Sequence, residues 1–556
     1  MRKFIAVLIL TSVLALPFPV VNGQRTQRAG SGEKSKAAIA SQRGVETISA
    51  AQMRDYLYFI ASDEMEGRDT PSRGLDTTAK FIAMNLSRWG FKPAGDEGSF
   101  LQKIALRKDL IDKEKSRVLF NGQPLTFGDD FIPAGRGGEA SGQLVFAGNG
   151  WFVKGKSDAY QGIDAKGKIA IIFTPPDGLP RGVTPADLAG KRGEDWIDPA
   201  ENASKQGAVG IIIVPGFQFL ANWDRNRQRI SERGAVTVSK FQPETGPSLA
   251  TVIASPRLAN LLFQGEKQNA SLLFEAAGAG TLPAPFELNP EKNVSMTVVS
   301  KTDHLSTQNV VAIFEGSDPV LKNEYVAIGA HYDHVGIGIP VNGDAIYNGA
   351  DDDGSGTTAL LAIAEALAKS PIRPKRSVLF VWHAGEEKGL WGSRYFTDNP
   401  TIPLNKIVTQ INIDMIGRSK KDGDTNPKNR ELSGPNEIYV IGSKMMSTEL
   451  GELSETVNKG YLNLAYNYRY DDPNDPNRFF FRSDHFNYAR KGIPIIFFFD
   501  GEHEDYHRPG DSPDKIDYQK MQNVARTVYM TMWELANRPV RPTVDKQLPK
   551  ELTRDN

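Results

Sequence analysis

Hydrophobic positions recur with two different periods along the chain, and the change of period divides it into regions. Apolar residues spaced for one face of a helix predict helices over residues 51–61, 76–90, 356–369 and 518–536. From about residue 290 to 537, short apolar runs alternate with such helices. The runs predict strands at 310–314, 325–330, 377–382, 410–413 and 493–499. This alternation is typical of an α/β sheet.

A different pattern occupies residues 118–280, where short apolar runs are separated by glycine turns. Runs at 143–147, 168–173 and 209–214 predict strands, and residues 201–207 predict a short helix before the third. The region contains no histidine and no close pair of carboxylates. We therefore expect a β-rich module that serves as a lid or binding unit without chemistry of its own.

The first residues have the pattern of an export signal. A short basic start precedes an apolar run from Phe4 to Val21, and small or polar residues follow it. Because Pro17 and Pro19 interrupt the run, a cleaved signal peptide over residues 1–23 is favoured over a membrane anchor. Polar composition predicts a flexible leader at 24–47 and a tail at 538–556. The protein is expected to be periplasmic or secreted.

Composition limits the chemistry that the chain can perform. Its 556 residues are 40% hydrophobic and 24% charged, with a net charge of −1, so no basic excess indicates nucleic acid. Cysteine is absent, which excludes disulfides and thiolate ligands. The seven histidines all lie between His304 and His507. A transition metal would therefore be bound by histidine and carboxylate in the second half of the chain.

Five short stretches bring histidines and carboxylates together, and most of them follow a predicted strand. They begin at Ala330, Gly349, Ala384, Ile413 and Tyr506, and read AHYD, GADDDGSG, AGEE, IDM and YHRPGD. Ligands of open α/β sheets bind beyond the carboxyl ends of the strands, so we expect these stretches to meet in space. Histidine and carboxylate ligands with open coordination positions suit catalytic zinc.

Each stretch also has a simpler explanation when it is taken by itself. Glu386 and Glu387 could be solvated, or one could bind metal while the other acts as a base. One aspartate of the triplet 351–353 could cap the helix that follows while another faces a metal. Asp414 lies in an apolar run and needs a partner, either a cation or an arginine such as Arg418.

His331 and Asp333 lie on the same side of an extended segment, because side chains alternate along a strand. A carboxylate in that position commonly accepts the second N–H of a metal-bound histidine. A structural histidine with satisfied hydrogen bonds is the alternative for either His331 or His507 considered separately. The five stretches together favour a metal site.

These stretches resemble the co-catalytic di-zinc aminopeptidases, whose relatives include glutamate carboxypeptidase II and the transferrin receptor. The resemblance covers residues from about 48 to 537 and includes the segments at 63–68 and 95–102. It implies a three-layer α/β fold, with a peptidase sheet that has helices on both faces. This sheet would be formed by residues 48–117 and 281–537, and residues 118–280 would be an inserted protease-associated domain.

The resemblance also implies a site for two Zn²⁺ ions per chain. His331 and Asp414 would bind one ion, Glu387 and His507 the other, and Asp352 would bridge them. Glu386 would be the general acid/base and Tyr506 would stabilise the oxyanion. The supporting roles implied are Asp333 as partner of His331, a cis peptide bond between Asp352 and Asp353, and Ser483, Asp484 and His485 lining the pocket or starting a helix.

The implied function is that of a zinc-dependent exopeptidase, most simply an aminopeptidase acting on peptides, with no stable membrane insertion after signal cleavage. A carboxypeptidase or dipeptidase is the first alternative, because Arg482 and Arg508 could read a substrate carboxylate. A secreted zinc-containing binding protein without turnover is the second. The complete ligand set weighs against a silent receptor and against the single-zinc glutaminyl cyclases. A calcium site at 471–475 is less favoured than a solvated acidic loop.

Overall fold

The computed structural model describes residues 44–184, 187–188, 190–241, 249–472 and 475–548. The predicted signal peptide, most of the predicted leader and the end of the predicted tail lie outside these residues. Among the helices of the described part, none has the length and apolar character needed to span a membrane.

A mixed sheet of ten strands forms the larger layer of the molecule. Its strands, in spatial order, are Ala235–Val238, Leu101–Ile111, Ser300–Phe314, Ser377–His383, Tyr325–His331, Ile407–Ile413, Ile495–Phe499, Glu437–Ile441 and Ala465–Asn467, with Lys92–Pro93 beside Ser300–Phe314. The four strands from Ser377–His383 to Ile495–Phe499 in this order are mutually parallel. Their carboxyl ends therefore meet at one edge of the sheet.

Helices cover both faces of this sheet. The set on one face is Ala50–Ile60, Arg73–Arg88, Gly354–Lys369, Thr448–Gly460 and Tyr518–Asn537, and the set on the other is Trp391–Asp398 and His485–Ala489. Along the central strand, Val326 and Ile328 pack with the first set and Ala327 with the second, as the alternation of side chains requires. The predicted α/β fold with helices on both faces is confirmed.

The elements differ from the predicted ones in several places, and the buried strand Glu437–Ile441 is among those that are not predicted. Ser300–Phe314 is a strand of 15 residues, although only 310–314 is predicted. Its first half carries exposed polar residues such as Lys301 and Thr302 and pairs with Leu101–Ile111. Hydrophobic patterning detects only the buried end of such a strand.

A second sheet of nine strands lies in the inserted region. Its strands, in spatial order, are Gln123–Pro124, Arg117–Phe120, Asn293–Val298, Gly138–Phe146, Ile169–Phe173, Gly210–Val214, Ala250–Ala254 and Phe131–Ala134, with Phe286–Glu287 beside Gly138–Phe146. Helices Pro256–Phe263 and Ala270–Ala279 pack on one face and Pro199–Lys205 on the other. The sheet thus uses residues on both sides of the predicted boundary at 280.

Small elements complete the fold. They are the strands Phe152–Val153, Ser157–Asp158 and Trp196–Ile197, the helices Phe217–Ala221 and Trp223–Gln228, and the hairpin of Gly336–Val341 with Asp344–Tyr347. The strand Ala235–Val238 leaves the inserted region and pairs with Leu101–Ile111, which joins the two sheets.

His485, at the start of the helix His485–Ala489, is fully buried between aromatic residues. Its ring stacks on Phe497 with centroids 4.4 Å apart, and its Nε2 lies 2.8 Å from the carbonyl oxygen of Phe480. Burial lowers the pKa of His485 to about 3. The folded protein therefore holds this imidazole in its neutral form across the ordinary pH range.

We predict that His485 makes the fold sensitive to acid. The unfolded chain protonates this histidine below about pH 6.5 and the folded chain only near 3, so stability falls as the pH is lowered between these values. The loss from this group amounts to about 2 kcal/mol at pH 5. Urea unfolding of wild type and His485→Gln at pH 7 and pH 5 measures it, with exposed His304→Gln as control. Equal pH dependence in wild type and His485→Gln would contradict the prediction.

Candidate metal centre

The four parallel strands deliver the predicted side chains to one edge of the sheet. His331 ends Tyr325–His331, the glutamate pair follows Ser377–His383, and Asp414 follows Ile407–Ile413. The loop after Ile495–Phe499 carries Tyr506 and His507. The aspartate triplet stands at the start of the helix Gly354–Lys369, which packs against the same strands.

All five sequence-predicted ligands come together in two groups that share Asp352. The first group is His331, Asp352 and Asp414, with His331 Nε2 at 3.3 Å from Asp352 Oδ1 and 3.6 Å from Asp414 Oδ1. In the second, His507 Nε2 lies 3.0 Å from Asp352 Oδ2 and 3.0 Å from Glu387 Oε2. The two oxygens of Asp352 thus face different histidines, as a bridging carboxylate would.

The second group contains a further histidine, His334, to which the sequence analysis gives no role. It is fully buried, and its Nδ1 lies 2.8 Å from Glu387 Oε1. A signal for it exists in the sequence, since His334 follows His331 by three residues in the segment beyond the strand. Histidine pairs at short spacing near carboxylates are typical of metal sites.

Glu386 and Tyr506 line the same pocket as His331 and Asp352. Glu386 Oε2 is 3.9 Å from His331 Nε2, and its backbone N–H donates to Asp333 Oδ1 at 3.1 Å. The Tyr506 ring stacks on that of His507, with centroids 4.0 Å apart. Both side chains therefore border the two groups.

Asp353 and Asp333 organise the surrounding backbone. Asp353 caps the helix Gly354–Lys369 by accepting from Gly356 N at 2.8 Å, and it also accepts from the backbone N–H of His331 and Met415. The bond between Asp352 and Asp353 is cis, as predicted. His331 Nδ1 lies closer to the backbone oxygen of Asp333, at 3.1 Å, than to its carboxylate, at 3.7 Å.

Within the part of the chain that the structure describes, Asp414 does not pair with an arginine. Ser483 Oγ donates to its Oδ2 at 2.6 Å, whereas Arg418 contacts Asp505 and Asp511. Asp484, the neighbour of Ser483, lies 3.3 Å from His383 Nδ1, so this predicted motif lies beside the site. In the acidic loop at 471–475, Asp471 accepts hydrogen bonds from the backbone of Gly442 and Lys444.

The electrostatics of the centre are dominated by buried carboxylates. Burial, together with Glu387 and Asp414, raises the pKa of Glu386 well above its ordinary value, against the opposing effect of His331. Burial also raises the pKa of Asp352, but the nearby histidines outweigh it and hold that pKa well below its ordinary value. For His507 burial lowers the pKa, whereas the nearby carboxylates of Asp352 and Glu387 raise it to about 10. A positive charge is therefore strongly favoured beside the carboxylates of Asp352 and Glu387.

The donor atoms of the two groups fit metal ions. Among the described residues, Asp352 Oδ2, Glu387 Oε1 and His507 Nε2 have no hydrogen-bond partner. Buried polar atoms without partners are costly, and a divalent cation between them would satisfy several at once. Imidazole and carboxylate donors, without thiolate, suit zinc in an open catalytic site.

Arg68 connects the N-terminal part of the chain to this centre. Its guanidinium is fully buried and donates to the carbonyl oxygens of Ile60, Tyr332, Asn348 and Gly349 at 2.7–2.9 Å. The last two carbonyls precede the aspartate triplet, and Tyr332 follows His331. One side chain therefore fixes both ligand-bearing loops.

Comparison with known proteins shows which proteins this part of the chain resembles. Residues 309–532 match the model of peptidase family M28. The "probable leucine aminopeptidase 2" of Aspergillus oryzae is 29% identical over 347 residues, which are 61% of this chain and 53% of that protein. A "probable zinc metalloprotease" of Pyrenophora teres f. teres is 31% identical over 254 residues, 42% of this chain and 50% of that protein. The chain thus spans about half the length of these two relatives.

A solved structure extends the likeness beyond the matched residues. The aminopeptidase from Aneurinibacillus sp. strain AM-1 resembles the chain with a TM-score of 0.52 and 17% identity, over 91% of this chain and 98% of that one. At this identity the likeness shows the fold. The predicted resemblance to zinc aminopeptidases is confirmed by the family match, and the protease-associated identity of the second sheet stays a prediction.

We predict that Arg68→Lys destabilises the protein by about 3 kcal/mol or more and lowers its metal content. A lysine ammonium cannot reproduce the planar fork that reaches four carbonyl oxygens, and buried acceptors left without donors are costly. Thermal unfolding and zinc analysis measure the two effects. Exposed Arg54→Lys is the control, with a change within about 0.5 kcal/mol. An unchanged unfolding temperature for Arg68→Lys would refute the role given to Arg68.

Proposed function

We propose that this chain, whose residues 309–532 match the model of peptidase family M28, is a zinc-dependent aminopeptidase that removes residues from the N-termini of peptides. The observation that carries the proposal is the pair of ligand groups that share Asp352, with Glu386 beside them. In this proposal His331, Asp352 and Asp414 hold one Zn²⁺ ion, and Asp352, Glu387 and His507 hold the other.

The side chains around the groups supply the remaining chemistry. When bound, two zinc ions lower the pKa of water toward about 7 and polarise a carbonyl group. Glu386 accepts the proton of the attacking water and gives it to the nitrogen of the leaving amine. The hydroxyl of Tyr506 donates a hydrogen bond to the oxyanion that develops on the scissile carbonyl.

The charges of the pocket favour a substrate with a free amine. Its lining includes Glu386, Asp414 and Glu502, and its arginine, Arg482, pairs with Glu502 at 2.6 Å. An ammonium group is attracted to such a surface, whereas a carboxylate would have to compete with Glu502 for Arg482. This supports an aminopeptidase over a carboxypeptidase.

The apolar wall of the pocket supports a preference for apolar N-terminal residues. Met415, Phe479, Phe497 and Phe499 line it together with the charged residues. The name of the Aspergillus oryzae relative makes leucine the first residue to test. We further propose that residues 1–23 direct export to the periplasm or medium, which N-terminal sequencing of the exported protein tests.

We predict that protein purified without residues 1–23 contains two zinc ions per chain and cleaves leucyl substrates with a free amine. N-acetylated versions of the same substrates should be inert, because they carry no ammonium group to meet the acidic lining. Removal of zinc with a chelator should abolish cleavage, and added zinc should restore it.

Two other results would redirect the assignment. Release of C-terminal residues from N-blocked peptides would establish a carboxypeptidase and overturn the role given to Arg482. Bound zinc without cleavage of any peptide in a broad panel would favour a binding protein.

We predict that Glu386→Gln lowers kcat by about 10² to 10⁴-fold, the range for loss of a general acid/base, while both zinc ions stay bound. The amide has the shape of the carboxylate but cannot accept the proton. Glu387→Gln is the matched neighbour, and it should lose zinc because Glu387 lies in the second ligand group. A wild-type rate for Glu386→Gln would exclude its proposed role.

A further inference from the structure

We propose that His334 is a fourth protein ligand of the second zinc ion, which it binds through Nδ1 beside Asp352, Glu387 and His507. This inference rests on the proposed zinc function and adds a residue outside the five-ligand pattern. The ligand atoms of the four residues lie within 4.8 Å of one another.

The distances suit one tetrahedral ion. Four ligand atoms at about 2.1 Å from a zinc ion are about 3.4 Å apart. His334 Nδ1 lies 2.8 Å from Glu387 Oε1 and 3.7 Å from Asp352 Oδ2. His507 Nε2 lies 3.0 Å from an oxygen of each of the same two carboxylates. Small shifts of these side chains would therefore bring all four donors to one ion.

The two imidazoles reach the carboxylates from different sides. The rings of His334 and His507 meet edge to face, with centroids 5.5 Å apart. Glu387 uses Oε1 toward His334 and Oε2 toward His507. An ion placed among these donors would therefore have protein ligands on more than one side.

The ring of His334 has no other partner that explains its burial. Neither Nδ1 nor Nε2 forms a hydrogen bond with any described residue, and the Nδ1 contact with Glu387 lacks hydrogen-bond geometry. A buried imidazole without a partner is costly. Metal binding would satisfy the nitrogen that faces Glu387 and Asp352.

The backbone around His334 is shaped to hold the ring in place. Its N–H donates to the carbonyl oxygen of Arg68 at 3.2 Å. Gly349 lies against the ring, and a Cβ there would stand 2.5 Å from His334 Cγ. Because Gly349 also has a positive φ of 57°, glycine suits this position in two ways. The contact with Gly349 and the hydrogen bond to Arg68 thus restrict the position of the His334 ring.

A fourth ligand makes the two zinc ions unequal. The first ion, with three protein ligands, keeps an open position for water or substrate, as catalytic zinc does. The second ion, with four protein ligands, would be held more tightly than the first. We therefore expect the second group to fill first and to release its ion last during chelation.

The number of imidazoles bound per zinc ion shows whether His334 is itself a ligand or only supports another ligand. Zinc X-ray absorption of the two-zinc wild-type enzyme should give about 1.5 imidazoles per zinc, from His331, His334 and His507, and about 1.0 for two-zinc His334→Asn. In competition with a chelator, His334→Asn should bind the second zinc more than about 100-fold more weakly, beyond the range for supporting residues. Free imidazole should restore binding in His334→Gly. Exposed His304→Ala should match wild type in both measurements.

The outcomes separate this inference from the proposed function. Two zinc ions with about 1.0 imidazole per zinc in the wild type would overturn the role of His334 and leave the aminopeptidase proposal standing. A wild type that binds no zinc would overturn both. If the His334 variants fail to fold, the wild-type spectrum by itself decides.

Discussion

The crowding of buried carboxylates at one edge of a parallel sheet is the constraint on which this structure depends. The buried aspartates at or near this edge are Asp333, Asp351, Asp352, Asp353, Asp414, Asp484, Asp500 and Asp511. Burying so many negative groups is unfavourable unless each meets a donor or a cation. The fold supplies backbone N–H groups to Asp353 and Asp511, and buried cations in Arg68 and Arg418. The carboxylates that face the pocket are left for metal ions.

The same constraint explains how adjacent glutamates come to differ. Glu387 reaches the two histidines of the second group, while Glu386 faces His331 across the pocket. Gly385, with a φ of 72°, lets the chain turn sharply after the strand Ser377–His383, so consecutive side chains diverge toward different sides of Asp352. A turn of this kind lets two adjacent glutamates take the two different roles proposed for them.

The inserted sheet is connected to the larger sheet through two neighbouring strands. Leu101–Ile111 leads into it and Ser300–Phe314 leads out, and these two strands pair with each other along their length. Val310 pairs with Trp382, next to the carboxyl end of Ser377–His383, so the earlier half of Ser300–Phe314 and its partner strand extend beyond that end toward the insertion. Among the described residues, both groups able to hold a metal lie outside the inserted region.

The sequence by itself determined five strands of the larger sheet, including the four parallel ones, and the five stretches that carry its chemistry, since strong apolar runs and charged residues just beyond them leave a local signature. The resemblance then paired His331 with Asp414 and Glu387 with His507, in the same two groups that the structure forms. Only the tertiary structure decided which residues His334 and Arg68 contact. Their partners lie far away in the sequence, as Arg68 with Gly349 and His334 with Glu387 illustrate. Hydrophobic periodicity reports which face of an element is buried but not which loops meet there, so contacts of this kind follow from packing alone.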